Sequence, residues 1–118
     1  MFKAVILLKR KPGMSPEEFF SYYENQHRKI GEKFVPNARK YVRRYLKAVG
    51  SHASGAAPEL PYDVLTELWF DNKAEFEKAM ALLSKPEVTA EIVADEEKLF
   101  DRSKICFCIV EEHESPAP

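Results

Sequence analysis

The sequence predicts an α+β domain of the ferredoxin-like, split βαβ class, in which helices cover one face of a four-stranded antiparallel sheet. Short apolar runs alternate with amphipathic segments in the order strand, helix, strand, strand, helix, strand, with an extra short helix before the last strand. The length of 118 residues is enough for one compact core and too short for two ordinary domains. We therefore expect a single domain over residues 1–112, followed by a flexible tail over residues 113–118.

The first strand is predicted over residues 2–9, because this run is short, apolar and closed by a Pro-Gly turn. A helix is predicted over residues 16–34, where Ser15 and Glu18 have the spacing of a capping box. Because side chains three and four apart share a helix face, one buried stripe is expected to contain Phe19, Tyr23, His27, Ile30 and Phe34.

The second and third strands are predicted over residues 40–49 and 62–70, where apolar and polar residues alternate. Between them, residues 50–61 are rich in Gly, Ser, Ala and Pro. A loop of this length often has a function of its own, so we expect it to be mobile and to form part of the mouth of a binding site.

The second half of the chain repeats the helical signals. Asn72 and Glu75 have the capping spacing and open a helix, and Pro86 begins a further helical stretch. Residues 104–110 have the alternating pattern of the last strand.

The first and last strands are apolar on both faces, although the helices can cover only one face of the sheet. Burying an aliphatic or aromatic side chain contributes about 1.5–3 kcal/mol, so an uncovered apolar face would be costly and prone to aggregation. We therefore expect a homodimer that packs sheet against sheet.

Composition argues against several classes of protein. The 18 basic and 19 acidic side chains are balanced and form no long block, whereas nucleic-acid binding needs a one-sided field. The apolar N-terminal run is too short for a signal peptide, and nothing later approaches a membrane span, so we expect a cytoplasmic protein.

Cys106 and Cys108 are expected to be reduced core thiols. The cysteines and histidines match no metal-ligand spacing, and we expect no metal.

His27 is the strongest candidate for chemistry, because it places an imidazole in the middle of a face that should be buried. Imidazole is suited to moving protons near neutral pH. The alternative is a core histidine that is hydrogen-bonded by a neighbour. Tyr23, Tyr45, and Asp63 or Glu67 are the polar groups expected to reach it.

Three further residues have two interpretations each. Glu67 could face the site or form a structural salt bridge with Arg43 or Arg44. Trp69 could form the wall of a site for a planar substrate or simply pack. His52, in the loop, could act as a second catalytic group over the cleft or be solvated.

The chain resembles EthD-type proteins of the dimeric α+β-barrel superfamily in two stretches. One is the run LLKRKPGMSPEEF at residues 7–19, which leads to the pair Tyr22-Tyr23 and to His27. The other is the strand YDVLTELWF at residues 62–70. Both stretches lie within the first 76 residues.

The resemblance implies a dimeric barrel in which a cleft between sheet and helices holds the substrate and a histidine of the first helix handles a proton. His27 is the matching position. Members and relatives include polyketide cyclases, a muconolactone isomerase, decarboxylating and dehydrating enzymes of pigment pathways, cofactor-free monooxygenases, haem-degrading enzymes and proteins without known activity.

We therefore expect a small cofactor-independent enzyme that performs cyclisation, dehydration, isomerisation or C–C lyase chemistry on a hydrophobic, carbonyl-bearing or phenolic metabolite. The alternatives are a non-catalytic accessory protein that binds a small molecule, and a haem-binding protein or cofactor-free monooxygenase. The expected catalytic residues are His27 and Tyr23. The expected substrate contacts are Tyr45, Asp63, Glu67, Trp69 and His52.

Overall fold

Four antiparallel strands form one sheet in the order β2-β3-β1-β4 in a computed structural model, which describes residues 1–50 and 59–117. The strands are β1 (Phe2–Leu8), β2 (Lys40–Tyr45), β3 (Val64–Phe70) and β4 (Cys106–Ile109). This arrangement confirms the predicted fold class. Both β2 and β4 are shorter than predicted, and β4 begins late because residues 102–104 form a 3₁₀ turn.

Helical residues occupy three stretches on one side of the sheet. The first is continuous and comprises α1 (Pro16–Tyr22), a π-helical turn (Tyr23–His27) and α2 (Arg28–Phe34). The others are α3 (Lys73–Leu83) and α4 (Pro86–Glu96). None of the described helices is long and apolar enough to cross a membrane.

The predicted helix starts are confirmed by their caps. The Ser15 hydroxyl accepts the Glu18 backbone N–H at 3.1 Å, and the Ser15 N–H donates to the Glu18 carboxylate at 3.3 Å. The Asn72 side chain accepts the Glu75 N–H at 2.9 Å. These bonds satisfy donors that helix ends otherwise leave unpaired, which fixes where each helix begins and which face it buries.

The strict alternation of β3 separates the two faces of the sheet. Its helix-facing residues are all buried, namely Val64, Thr66, Leu68 and Phe70. The residues between them face the other way, which we call the outer face. The core therefore lies between the sheet and the helices, and every side chain of the central strands belongs to one face or the other.

The edge strand β4 is the least buried strand. Phe107 and Ile109 pair with Ile6 and Ala4 of β1 and so point to the helix side, yet they are 43% and 62% exposed. After β4 the chain continues to residue 117 without regular secondary structure. Apolar surface is thus left open at this edge of the described domain.

Candidate active site

A cavity of about 380 Å³ lies between the sheet and the helices. Its volume lies within the range of small-molecule sites, and its wall is mostly aliphatic and aromatic. Polar side chains interrupt this wall at a few positions, namely Tyr23, His27, Tyr41, Thr66, Thr89, Glu96 and Arg102. An apolar chamber with a few converging polar groups is the usual form of a ligand site.

The π-helical turn places His27 and Tyr23 in the cavity wall. Both residues lie on the buried side of the helical stretch, as predicted. The wider π turn changes the angle between their side chains relative to a regular α-helix. Single π turns inside α-helices are rare and occur frequently at functional sites. Helical periodicity alone could not have predicted this turn.

His27 is paired with Asp95, which the sequence interpretation missed. The Nδ1 atom of His27 lies 2.7 Å from Oδ2 of Asp95, and the two residues are only 8% and 9% exposed. Tyr22 donates its hydroxyl to Oδ1 of the same carboxylate at 2.5 Å. Burial and the bond to Asp95 raise the pKa of Tyr22 to about 12, so Tyr22 keeps its proton and remains the donor.

The contact with Asp95 determines which nitrogen of the neutral His27 ring carries the proton. Because an ionised carboxylate only accepts hydrogen bonds, Nδ1 carries the proton and Nε2 carries the lone pair when the ring is neutral. Nε2 has no hydrogen-bond partner among the described residues. His27 itself lines the cavity. Nε2 is therefore available to a molecule in the cavity.

Two aromatic rings hold the imidazole edge-on. The ring centroids of Tyr23 and Phe100 lie 5.2 and 5.1 Å from that of His27, both nearly perpendicular to it. Edge-to-face contacts of this kind are favourable and restrict the orientation of the ring.

A chain of three hydroxyl groups runs along the cavity wall beside His27. The Tyr23 and Thr66 oxygens are 2.7 Å apart, and Tyr41 donates to the Tyr23 oxygen at 3.3 Å. Burial raises the pKa of Tyr23, against smaller opposing effects of its bonds to Thr66 and Tyr41. Tyr23 is thus a neutral hydroxyl that can donate a hydrogen bond.

The absence of a side chain at Gly31 leaves room for the Tyr41 ring, which carries one of these three hydroxyl groups. A Cβ atom at Gly31 would lie 2.7 Å from the ring carbons and the oxygen of Tyr41, which is too close for any real contact. Only a residue without a side chain lets the ring lie against α2.

We expect Gly31→Ala to destabilise the fold, although glycine to alanine in a helix interior normally stabilises by about 1 kcal/mol. The new methyl group must displace the Tyr41 ring, and such overpacking typically costs about 1–3 kcal/mol. Urea unfolding measures the difference, with Lys29→Ala on the exposed side of the same helix as the control. An increase in stability for Gly31→Ala would contradict the packing described here.

Tyr45 does not reach His27, contrary to expectation. It donates to Oε2 of Glu24 at 2.6 Å, and Arg43 holds both oxygens of that carboxylate at 2.7 and 3.0 Å. The Arg43 guanidinium lowers the pKa of Glu24. Tyr45 faces the helices as predicted, but a carboxylate on the first helical stretch captures its hydroxyl outside the cavity wall.

Glu67 and Trp69 lie on the outer face, so the expectation that they share a site with His27 is wrong. Arg44 donates to Glu67 at 2.6 Å, and the Trp69 indole N–H donates to the same carboxylate at 2.8 Å. Glu67 therefore forms the structural salt bridge with Arg44 that was one of its two predicted interpretations. Because residues of a strand alternate between faces, placing Thr66 toward the helices already excludes Glu67 from that side.

Asp63 also lies away from His27. It accepts the Arg10 backbone N–H at 2.8 Å and the Arg10 guanidinium at 2.7 Å, which ties the turn after β1 to the start of β3. His52 and most of the loop over residues 50–61 lie outside the described residues.

The cysteines are free, as predicted, but they are not in the core. Cys106 and Cys108 pair with Leu7 and Val5 of β1 on the outer face, where Cys106 is exposed. Across residues 1–50 and 59–117, no three His, Cys, Asp or Glu side chains come together in a group that could hold a metal ion.

One site residue that the sequence analysis did not name, Asp95, has a recognisable signal in the sequence. Asp95 occupies a helical stripe with Ile92 and Leu99, so a carboxylate interrupts an otherwise apolar face. Such a residue requires a buried partner. Thr66 similarly interrupts the apolar inner face of β3.

The fold and the cavity together define a ferredoxin-like α+β protein with a chamber between its sheet and helices. The chain belongs to the EthD family, since the EthD domain model matches residues 11–103. No curated protein matches the chain significantly.

Solved structures share the fold at low sequence identity. An EthD family protein from Bacillus halodurans C-125 is 22% identical, with a TM-score of 0.63 over 96% of this chain and 100% of its own. An EthD-like protein from Ralstonia eutropha JMP134 is 20% identical, with a TM-score of 0.62 over 93% and 89%. A Bacteroides fragilis protein described as dimeric, with a ferredoxin-like fold, is 14% identical, with a TM-score of 0.53 over 92% and 91%.

Proposed function

We propose that the protein is a small cofactor-independent enzyme that transfers protons on a hydrophobic, carbonyl-bearing or phenolic compound bound in the cavity. One observation carries the proposal: His27 lines an apolar chamber and binds Asp95 through Nδ1, while its Nε2 atom has no partner among the described residues. A base needs a lone pair aimed at the substrate and a fixed ring, and a buried carboxylate also stabilises the imidazolium that forms.

The chemistry of the wall supports a carbonyl or phenol as the reacting group. Tyr41 already donates to the Tyr23 oxygen. When Thr66 donates to it as well, the Tyr23 proton is free for an oxygen of the ligand. His27 would take a proton from the carbon beside a carbonyl, while Tyr23 donates a hydrogen bond to the oxygen that gains negative charge. Cyclisation, dehydration, isomerisation and C–C lyase reactions can all begin with this step.

The test uses 5-nitrobenzisoxazole, a flat apolar probe that reports on bases. Removal of its C3 proton breaks the N–O bond in the same step and gives a coloured cyanophenolate. We expect saturable acceleration by the wild-type protein and loss of that acceleration in His27→Gln. His113→Gln, which changes an exposed histidine in the C-terminal segment, is the matched control.

Binding of the probe is followed separately by NMR shifts of cavity residues. A protein that binds the probe without accelerating the reaction would be the non-catalytic alternative. Acceleration that persists in His27→Gln would contradict the proposed base.

We further propose that two copies of the chain form a cytoplasmic homodimer through the outer faces of their sheets. Within the described residues no helix covers that face, which carries Val5, Leu7, Val42 and Leu65. A Bacteroides fragilis protein of the same fold is described as dimeric. Free cysteines are in keeping with a reducing compartment.

Light scattering at micromolar concentration is expected to give twice the mass of one chain, because a stable dimer would bury about 1,600 Å² or more. Leu7→Glu, which puts a charge on the outer face, should shift the population toward monomer. Lys11→Glu, at an exposed position outside the sheet, should not. A monomeric wild-type protein would refute the dimer.

A further inference from the structure

Glu96 lies on the cavity wall beside the His27–Asp95 pair. It is the last residue of α4 and directly follows Asp95, and successive helical side chains point about 100° apart. Asp95 therefore binds the His27 ring while Glu96 lines the chamber. The Glu96 side chain is 17% exposed.

The Glu96 carboxyl has an oxygen atom left over for contact with a ligand. Its contact with Arg102 is long, 3.4 Å from Nε to Oε1, and Oε2 has no partner among the described side chains. Burial raises the pKa of Glu96, and nearby Asp95 adds to this, although Arg102 and a charged His27 lower it. A carboxyl group whose pKa is raised in an apolar site is suited to act as a general acid.

We infer that Glu96 is a second proton-transfer group, a general acid that works with His27 on the same ligand. The inference rests on the proposed function and narrows it to reactions that remove a proton at one atom and deliver a proton at another. Simple isomerisation is served by one shuttling base, whereas loss of water gains from a separate acid that protonates the departing hydroxyl group. The substrate class that fits is an apolar β-hydroxy carbonyl compound.

The dehydration step balances without any other reactant. His27 Nε2 takes a proton from the carbon beside the carbonyl, and the electrons of that C–H bond form a C=C bond. The adjacent C–O bond breaks as Glu96 gives its proton to the departing hydroxyl group, which leaves as water. His27 is then an imidazolium and Glu96 a carboxylate, and proton exchange through solvent restores both.

The test compares 5-nitrobenzisoxazole with unsubstituted benzisoxazole. Both lose the same C3 proton, but the nitrophenolate leaves without help whereas the unsubstituted phenolate leaves faster when an acid protonates it. We expect Glu96→Gln to slow the unsubstituted probe by about 10-fold or more and to change the nitro probe by less than about 3-fold. Glu97→Gln, at the exposed neighbouring position, should change neither.

The remaining outcomes distinguish the role of Glu96 from that of His27. His27→Gln should slow both probes, and if it slows neither, the proposed function itself fails. If His27→Gln slows both but Glu96→Gln slows both equally, or neither, the role of Glu96 is overturned and the base remains. Thermal unfolding checks that Glu96→Gln is folded.

Arg102→Gln provides a second measurement that leaves Glu96 in place. Because Arg102 lowers the pKa of Glu96, its removal should let the acid keep its proton to higher pH. The rate of the unsubstituted probe should then decline at a higher pH than in the wild-type protein. An unchanged pH profile would overturn the assignment of the acid.

Discussion

Replacing His27 by glutamine is expected to lower proton-transfer rates in the cavity by about 10²- to 10⁴-fold, the usual contribution of a positioned general base. Glutamine keeps a hydrogen bond toward Asp95 and a similar volume, but it cannot take up and release a proton. The fold and the dimer should therefore persist. Turnover of 5-nitrobenzisoxazole and circular dichroism report the two properties separately.

His27→Ala separates this role from a purely structural one. If His27 were only a core residue, alanine would cost stability and glutamine would leave activity largely intact. If His27 is the base, both substitutions should abolish acceleration to nearly the same extent. Full activity in a folded His27→Gln protein would refute the assignment.

Asp95→Asn is expected to reduce proton transfer by about 10²-fold or more, because the neutral amide cannot stabilise the imidazolium. The amide can also present its N–H₂ group to Nδ1, which would place the ring proton on Nε2 and remove the lone pair from the cavity. The loss should appear in the rate constant with bound probe rather than in probe binding, since both oxygens of the Asp95 carboxylate are already hydrogen-bonded to Tyr22 and His27.

Tyr22→Phe is the matched control for Asp95. It removes the second hydrogen bond to the carboxylate but leaves the charge and the contact with His27. We expect a stability loss of about 1 kcal/mol and little change in rate. Equal rate losses in Asp95→Asn and Tyr22→Phe would indicate that the carboxylate acts only through packing.

Local signals in the sequence predicted the fold well. The caps at Ser15 and Asn72 fix the register of their helices, and the alternation of β3 assigns its residues to two faces. These signals depend on neighbours within a few residues. They place Tyr23 and His27 on the buried side without any knowledge of the partner element.

The composition of the site was harder to predict, because its key contact joins distant parts of the chain. His27 and Asp95 are 68 residues apart, and only the packing of α4 against the first helical stretch brings them together. Glu67 was misassigned for a different reason. The predicted salt bridge to Arg44 forms, but it lies on the outer face of the sheet, away from His27.

The ends of elements were also predicted imperfectly. The turn at Tyr23–His27 has π geometry, which no pattern of apolar residues encodes. The last strand begins only at Cys106, because Asp101 caps a 3₁₀ turn before it. Both differences arise from backbone hydrogen bonding rather than from hydrophobic periodicity.

The protonation of the His27 ring is the most direct measure of its proposed role. Long-range ¹H–¹⁵N NMR resolves both ring nitrogens, and 2-naphthol serves as an apolar phenolic probe. We expect the neutral ring to carry its proton on Nδ1, and we expect the Nε2 signal to shift when 2-naphthol binds. A proton on Nε2, or an Nε2 signal that stays unchanged while Tyr23 and Ile30 signals report binding, would contradict the assignment of His27 as the base.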